Sequence, residues 1–163
     1  MKTLILIRHA KAIQDITYND IDRKLTSRGI ENAKQVGKES KKIIKQNHVF
    51  ITSSTAERAF HTAKLIVDEW TIDKIKIRLN ANLYTFDRND LEKIIKNSSN
   101  EFDTVILFGH NTAITDFVNK FGDIYIENVP TSGLVSIIFD SENWHDIKKG
   151  KTETIIFPSS IQL

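Results

Sequence analysis

Cysteine is absent from the 163 residues. That excludes disulfides, thiolate nucleophiles and cysteine metal sites, and leaves the redox compartment undecided. Long apolar runs are missing too: Met1, Lys2 and Thr3 lead into four strongly apolar residues before Arg8. This is far short of a signal-peptide core or a membrane span, so a cytoplasmic location with no membrane partner is expected. Charge of one sign is also lacking. The 23 Lys and Arg against 21 Asp and Glu leave a net charge of +2, too small and too evenly spread to point to nucleic acid. There is no glycine-rich phosphate loop with a following lysine and no close set of carboxylates to suggest magnesium, so neither metal nor cofactor is expected. With no internal repeat, low-complexity run or linker, the length suits a single domain over 1–163 with a core of its own.

What is present is organised around Leu4, Leu6 and their neighbours, a short continuous apolar run that ends in Arg8 and His9. Such a run reads as a strand buried on both faces of a sheet. In open α/β sheets the ligand crevice lies beyond the carboxyl ends of such strands, which is where Arg8 and His9 fall. Taken alone, this dipeptide would be an ordinary polar strand end. The pattern recurs, however, with Arg58 at a helix start after a second strand at 49–52, and His110 after a third at 104–108.

Between these points, residues 11–24 read as a polar loop able to lie over the site. Thr26 is the expected N-cap of a helix whose apolar positions run from Ile30 to Ile44, ending near Gln46. Ser54, Thr55, Ala56 and Glu57 have the form of a capping box opening the next helix, with Ala59, Ala63, Ile66, Val67 and Trp70 on its inner face. That helix start favours an anion even before Arg58 is counted. Residues 75–79 alternate as a half-buried edge strand should. Residues 82–89 read as a loop, and Leu91, Ile94 and Ile95 mark a short helix. Ile114, Phe117, Val118 and Phe121 mark another, capped by Asn111 or Thr112 and stopped near Gly122. A strand follows at 134–139, and 143–147 with 153–157 could form a last hairpin, with Trp144 and His145 as packing residues. His48 belongs to the turn before the second strand. Strands alternating with helices predict an α/β/α three-layer sandwich with a mostly parallel central sheet.

Two arginines and two histidines at three strand ends suit one dianionic phosphoryl group. A histidine attacks phosphorus through an unprotonated ring nitrogen, so His9 must be neutral, its other nitrogen donating to a backbone carbonyl that holds the ring in line. Arg8, Arg58 and a protonated His110 would stabilise the phosphoryl oxygens by position and charge. The planar fork of arginine holds two oxygens at once, which lysine does not imitate.

The motifs, in order, are Leu6-Ile7-Arg8-His9-Ala10-Lys11-Ala12, the segment from Asp22 to Gly29, Ser53-Ser54-Thr55-Ala56-Glu57-Arg58-Ala59-Phe60-His61-Thr62-Ala63, and Phe108-Gly109-His110-Asn111. In order and spacing the chain resembles the histidine phosphatase superfamily, and within it the SixA-like phosphohistidine phosphatases. The resemblance implies a phosphoglycerate mutase-like fold with His9 as the phosphorylated nucleophile. It implies Arg8, Arg58 and His110 as the phosphate pocket; Ser53 and Asn111, which stand in the same motifs, are further candidate phosphate-binding residues. Thr55 stands where a proline is common and His61 where glutamine is common, the latter reading as a helix-surface residue.

Larger members of the superfamily place a glutamate general acid between the second arginine and the second histidine. Here that region offers only Asp87 and Asp90, without the usual context. An alkoxide leaving group needs a proton in the transition state, whereas an imidazole leaving a phosphoramidate departs readily once protonated near neutral pH. The expected substrate is therefore a phosphohistidine-containing phosphotransfer protein. A small-molecule phosphomonoesterase using Asp87, Asp90, Asp15, Asp20 or Asp22 as acid is the alternative. A catalytically silent phosphate- or phosphoprotein-binding module is a third possibility, though it would have no use for a nucleophile beside an arginine.

Overall fold

Alternation along the first strand decides the layering of the whole molecule. In the computed structural model, which describes residues 1–161, β1 (Lys2–Arg8) is central. Its Leu4 and Leu6 point into one core and its Ile5 and Ile7 into another, as the two-residue strand period requires. The remaining elements are α1 (Ser27–Ser40), β2 (Val49–Ser53), α2 (Glu57–Glu69), β3 (Ile77–Leu79), α3 (Arg88–Lys96), β4 (Thr104–Gly109), α4 (Ala113–Phe121), β5 (Leu134–Phe139) and β6 (Lys151–Ile156). The sheet order is β3-β2-β4-β1-β5-β6. The first four strands in that order pair in parallel, while β5 runs antiparallel to β1 and to β6. The sheet is thus mixed, built on a parallel block of four.

Helices α1 and α2 cover one face, where Ala33, Val36, Ala63, Ile66, Val67 and Trp70 pack against Ile5, Ile7, Ile106 and Phe108. The other face carries α3 and α4, with Leu91, Ile95, Phe117 and Val118 against Leu4, Leu6, Leu107 and Ile137. Trp70 buries its indole N–H on Ser40 Oγ at 2.9 Å, so its polar atom is satisfied inside the core. At the amino end of β1, Lys2 is buried. Its Nζ donates to the carbonyls of Asn100 and Phe102 at 2.8 and 3.1 Å and pairs with Asp103 at 3.3 Å.

Several local expectations are corrected. Helix α1 stops at Ser40, not near Gln46, and gives way to a 3₁₀ turn over Lys41–Ile43. Ser40 Oγ donates back to the carbonyls of Val36 and Gly37, a side-chain competition that weakens helix continuation. The Ser54-to-Glu57 capping box does not form: the N-cap of α2 is Ala56, with no side-chain cap, because Ser54 Oγ accepts from Ala56 N and meets His110 instead. The edge strand is only Ile77–Leu79, its expected start being a 3₁₀ turn over Lys74–Lys76. The last hairpin is β5 with β6. Residues Trp144–Asp146 form a 3₁₀ turn in which Trp144 is buried and His145 is exposed. His145 is therefore not a packing residue.

Thr26 caps α1 as expected, its side chain accepting from Gly29 N at 2.9 Å, and its backbone N–H donates to the Lys11 carbonyl at 2.9 Å. This joins the start of α1 to the chain just past His9. A Cβ at position 29 would collide with that carbonyl oxygen and stand 3.0 Å from the Lys11 nitrogen, backbone atoms that cannot rotate away. Gly29→Ala is expected to cost about 1–3 kcal/mol, as overpacking does. The readout is a lower urea midpoint at unchanged slope, while Lys38→Ala on the exposed face changes stability by less than about 0.5 kcal/mol.

Candidate active site

Parallel pairing places Arg8 opposite Gly109. The next residues, His9 and His110, therefore leave adjacent strands side by side, with ring centroids 5.3 Å apart. His9 N–H donates to the Gly109 carbonyl at 3.0 Å, and Ser54 N–H, just past β2, donates to that of Phe108 at 3.0 Å. Three parallel strand ends are laced together in this way. Thr62 Oγ1 accepts from Ala10 N at 2.8 Å and donates to the Arg58 carbonyl at 2.7 Å, fixing the first turn of α2 against the end of β1. From the other side, Ser132 N–H donates to the carbonyls of Arg8 and His9. Ser132 has φ of 63°, a left-handed conformation a serine adopts only where its surroundings hold it.

The His9 Nδ1 lies 2.7 Å from the carbonyl of Ala10. A carbonyl only accepts, so Nδ1 carries the proton and Nε2 the free lone pair. Burial lowers the His9 pKa to about 4, assisted by Arg58 and Arg8 and opposed by the bond to Ala10. His110 is lowered further, to about 3, by burial, then by His9 and Arg58. The expected protonated His110 is thus corrected: surrounded by two guanidinium groups and a second ring, it is neutral at ordinary pH. Its Nε2 lies 2.8 Å from Ser54 Oγ, which already accepts from Ala56 N. Nε2 of neutral His110 and Ser54 Oγ thus share one hydrogen bond, and His110 Nδ1 is left without a partner.

Arg58, 2 % exposed, donates from Nη1 to the carbonyl of Asp20 at 2.6 Å and from Nη2 to its carboxylate at 3.0 Å. The same carboxylate accepts from Tyr84 Oη and, at 3.1 Å, from Arg23 Nε. The Tyr84 hydroxyl and Arg58 hold the Asp20 pKa at about 2 against partial desolvation. Burial and the neighbouring carboxylate push Tyr84 upward. Arg8 Nη1 donates to the Val129 carbonyl at 3.0 Å. Among the described residues, the buried side-chain nitrogens and oxygens with no partner are Arg8 Nε, Arg58 Nε, His110 Nδ1 and Ser132 Oγ. All four belong to residues at this end of the sheet, and unpartnered buried polar atoms are rare enough to mark a site.

The structure therefore brings Arg8, His9, Arg58 and His110 together. Ser53 and Asn111 are adjacent but committed elsewhere. Ser53 Oγ donates to the Ser54 carbonyl. Asn111 Oδ1 accepts from Thr115 N and Oγ1, while its amide donates to Asn128 and Val129. Asp90 accepts from Thr85 and Asp15 from Thr17, and Asp87 and Asp22 are exposed. Among the loop aspartates Asp20 is the one that reaches Arg58. The sequence does not single out Ser54, Tyr84 or Ser132 as pocket residues, and it offers Asp20 only as a candidate acid, not as a partner of Arg58. Phe86, also unremarked, stands edge-on to His110 at 5.4 Å. Among the described residues no group of three or more His, Asp or Glu is placed to hold a metal ion, and no helix is long and apolar enough to cross a membrane.

A family model, the histidine phosphatase superfamily (branch 1), matches residues 4–104. No curated protein matches the sequence. Among solved structures, the chain superposes on the protein histidine phosphatase SixA complexed with tungstate, with TM-score 0.79, 18 % identity and coverage of 98 % of this chain and 99 % of that one. It is similar to the Agrobacterium tumefaciens protein described provisionally as the phosphohistidine phosphatase SixA, with TM-score 0.78, 23 % identity and coverage of 96 % and 98 %. A mycobacterial glucosyl-3-phosphoglycerate phosphatase is similar at TM-score 0.66 and 11 % identity, with coverage of 93 % and 97 %.

The two lowered histidine pKa values make stability depend on pH. An unfolded histidine binds a proton near pH 6.5, whereas folded His9 does so only near 4. Between those values the unfolded chain holds more protons, so stability rises with pH across the window and is lost on acidification. The His9 contribution lost from pH 7 to 4 is on the order of 3 kcal/mol. Urea unfolding at several pH values should show this slope, and His9→Gln and His110→Gln should each flatten it.

Proposed function

The chain belongs to the histidine phosphatase superfamily, and on that premise we propose that it is a phosphatase carrying the phosphoryl group covalently on His9 Nε2, with phosphohistidine on a phosphotransfer protein as its substrate. Its fold is the phosphoglycerate mutase-like three-layer arrangement, and residues 1–163 act as one domain. The observation that carries the proposal is the bond from His9 Nδ1 to the Ala10 carbonyl. It directs an unprotonated Nε2 outward, beside the other ring and the two arginines. Nε2 attacks phosphorus as the bond to the substrate imidazole breaks, and that imidazole takes up a proton from solvent and leaves neutral. Water then attacks the phosphorus, the Nε2–P bond breaks, and phosphate departs with neutral His9 restored. Arg8, Arg58 and the His110 ring hold the three oxygens throughout. A dianionic ligand raises the His110 pKa, so the ring becomes a stronger donor when the pocket is filled.

The substrate class follows from proton supply. Asp20, the carboxylate that reaches the pocket, is held near pKa 2 and is a poor general acid at neutral pH. That suits a P–N bond, whose leaving imidazole accepts a proton readily, better than an ester. The likeness of fold to the protein histidine phosphatase SixA supports the same choice. A cytoplasmic location fits such a partner.

Wild type is expected to release phosphate from a phosphohistidine-bearing phosphotransfer protein in the presence of chelator, and His9→Ala to abolish release while leaving an acid-labile phosphoenzyme undetectable. Arg58→Lys should lower kcat/KM by about 10²–10³-fold, as loss of one oriented transition-state donor does. Hydrolysis of an aryl phosphate alone would overturn the substrate assignment and leave the phosphatase standing. Turnover by His9→Ala at the wild-type rate would overturn the nucleophile.

A further inference from the structure

Both terminal nitrogens of the Arg58 guanidinium are occupied by one residue of the same chain. Nη1 donates to the Asp20 carbonyl at 2.6 Å and Nη2 to its carboxylate at 3.0 Å, so Asp20 engages the fork that a phosphoryl group would use. Its loop has little else to hold it. Within residues 13–24 the hydrogen bonds are local, joining Ile13 to Lys24, Tyr18 to Asp15, Asp22 to Asn19 and Arg23 to Ile13 and Asp20. Among the described residues, every hydrogen bond from this loop to the remainder of the chain ends on Asp20, from Arg58 or from Tyr84. The loop also keeps Ile13, Ile16, Tyr18 and Ile21 in water, with Ile16 fully exposed. Apolar burial therefore adds little to the anchorage.

We propose that Asp20 is a specificity-determining counter-anion, an internal occupant of the Arg58 fork that an incoming phosphoryl group must displace, releasing the 13–24 loop as it does so. The inference rests on the phosphoryl-pocket assignment above and adds to it a selection among phosphorylated ligands. Free phosphate and small esters offer only their own oxygens in exchange for the Asp20 contacts, so they bind weakly and leave quickly. A phosphorylated protein can also engage the freed loop with its four exposed apolar side chains, and so recovers what the displacement costs. The pocket thereby favours a phosphoryl group carried on a macromolecule over the inorganic phosphate it releases. Substrate entry also loosens the loop beside the pocket, the opposite of a lid that closes on its ligand.

The test uses tungstate and inorganic phosphate as probes of the full chain, with binding measured by calorimetry and loop opening by hydrogen exchange and trypsin cleavage at Arg23 and Lys24. Asp20→Ala should tighten tungstate binding by about tenfold, the scale of one lost charge-assisted competitor. Tyr84→Phe, which removes a second tie on the same carboxylate, should tighten it by a smaller factor. In wild type, saturating tungstate should speed exchange and cleavage within 13–24. Arg58→Ala serves to separate the two levels of inference: if it binds tungstate as wild type does, the pocket assignment itself fails. If Arg58→Ala abolishes binding but Asp20→Ala binds tungstate no better than wild type, the counter-anion role is overturned. Protection of 13–24 by tungstate would overturn it as well, and that measurement needs no variant to fold.

Discussion

The register between β1 and β4 is the constraint on which the site depends. Because the two strands are parallel and Arg8 faces Gly109, the residues that follow leave the sheet at one level and from neighbouring positions. Two imidazoles then meet at 5.3 Å with no loop having to be folded toward the other. Strand β2, on the far side of β4, delivers Ser54 to His110 and starts the helix that carries Arg58. The arginines and histidines come from sequence positions some fifty residues apart, as 8, 58 and 110 show, and one sheet edge gathers them. Loops decorate this arrangement but do not create it, which gives the preorganisation that electrostatic stabilisation of a phosphoryl group requires.

That origin explains what could be read from residues alone. Leu4, Leu6, Val105 and Leu107 belong to short apolar runs ending in charged or imidazole side chains, and such runs announce buried parallel strands and the chemistry at their tips. The amphipathic stripes of α2 and α4 are equally plain, and the strand ends together with the start of α2 point to Arg8, His9, Arg58 and His110. Ser54 reads as a helix cap because it stands three residues before a glutamate. Tertiary contact with His110 outweighed that local pattern. His110 was expected to be charged because a phosphate pocket needs cations, whereas burial beside His9 and Arg58 keeps it neutral. The Asp20 contact could not be read at all. Residues 11–24 carry five carboxylate or hydroxyl side chains at irregular spacing, and no periodicity says which of them will meet an arginine more than thirty residues away.

The pocket is also unusual in its balance of charge. A buried guanidinium on Arg58 beside a half-buried one on Arg8 would be costly without a counter-charge, since removing a cation from water is repaid only by a partner of opposite sign. Arg8 meets a carbonyl dipole from Val129, and Arg58 meets a full carboxylate. Neutral His9 and His110 avoid adding to the repulsion. The same burial and pairing that balance these charges also leave the nucleophile unprotonated, so stability and reactivity are served by one set of contacts.

Lys2 gives β1 a further property. Its ammonium group is tied at the amino end of the strand to the carbonyls of Asn100 and Phe102, while His9 lies just past the carboxyl end. Anchored at its base, the seven-residue strand works as a ruler whose length sets the height of the nucleophile. One residue more or fewer between these marks would shift His9 by about 3.3 Å and turn it to the opposite face of the sheet. The spacing from Lys2 to His9 is therefore a dimension of the catalytic geometry, although half of it lies at the end of the sheet remote from any reaction.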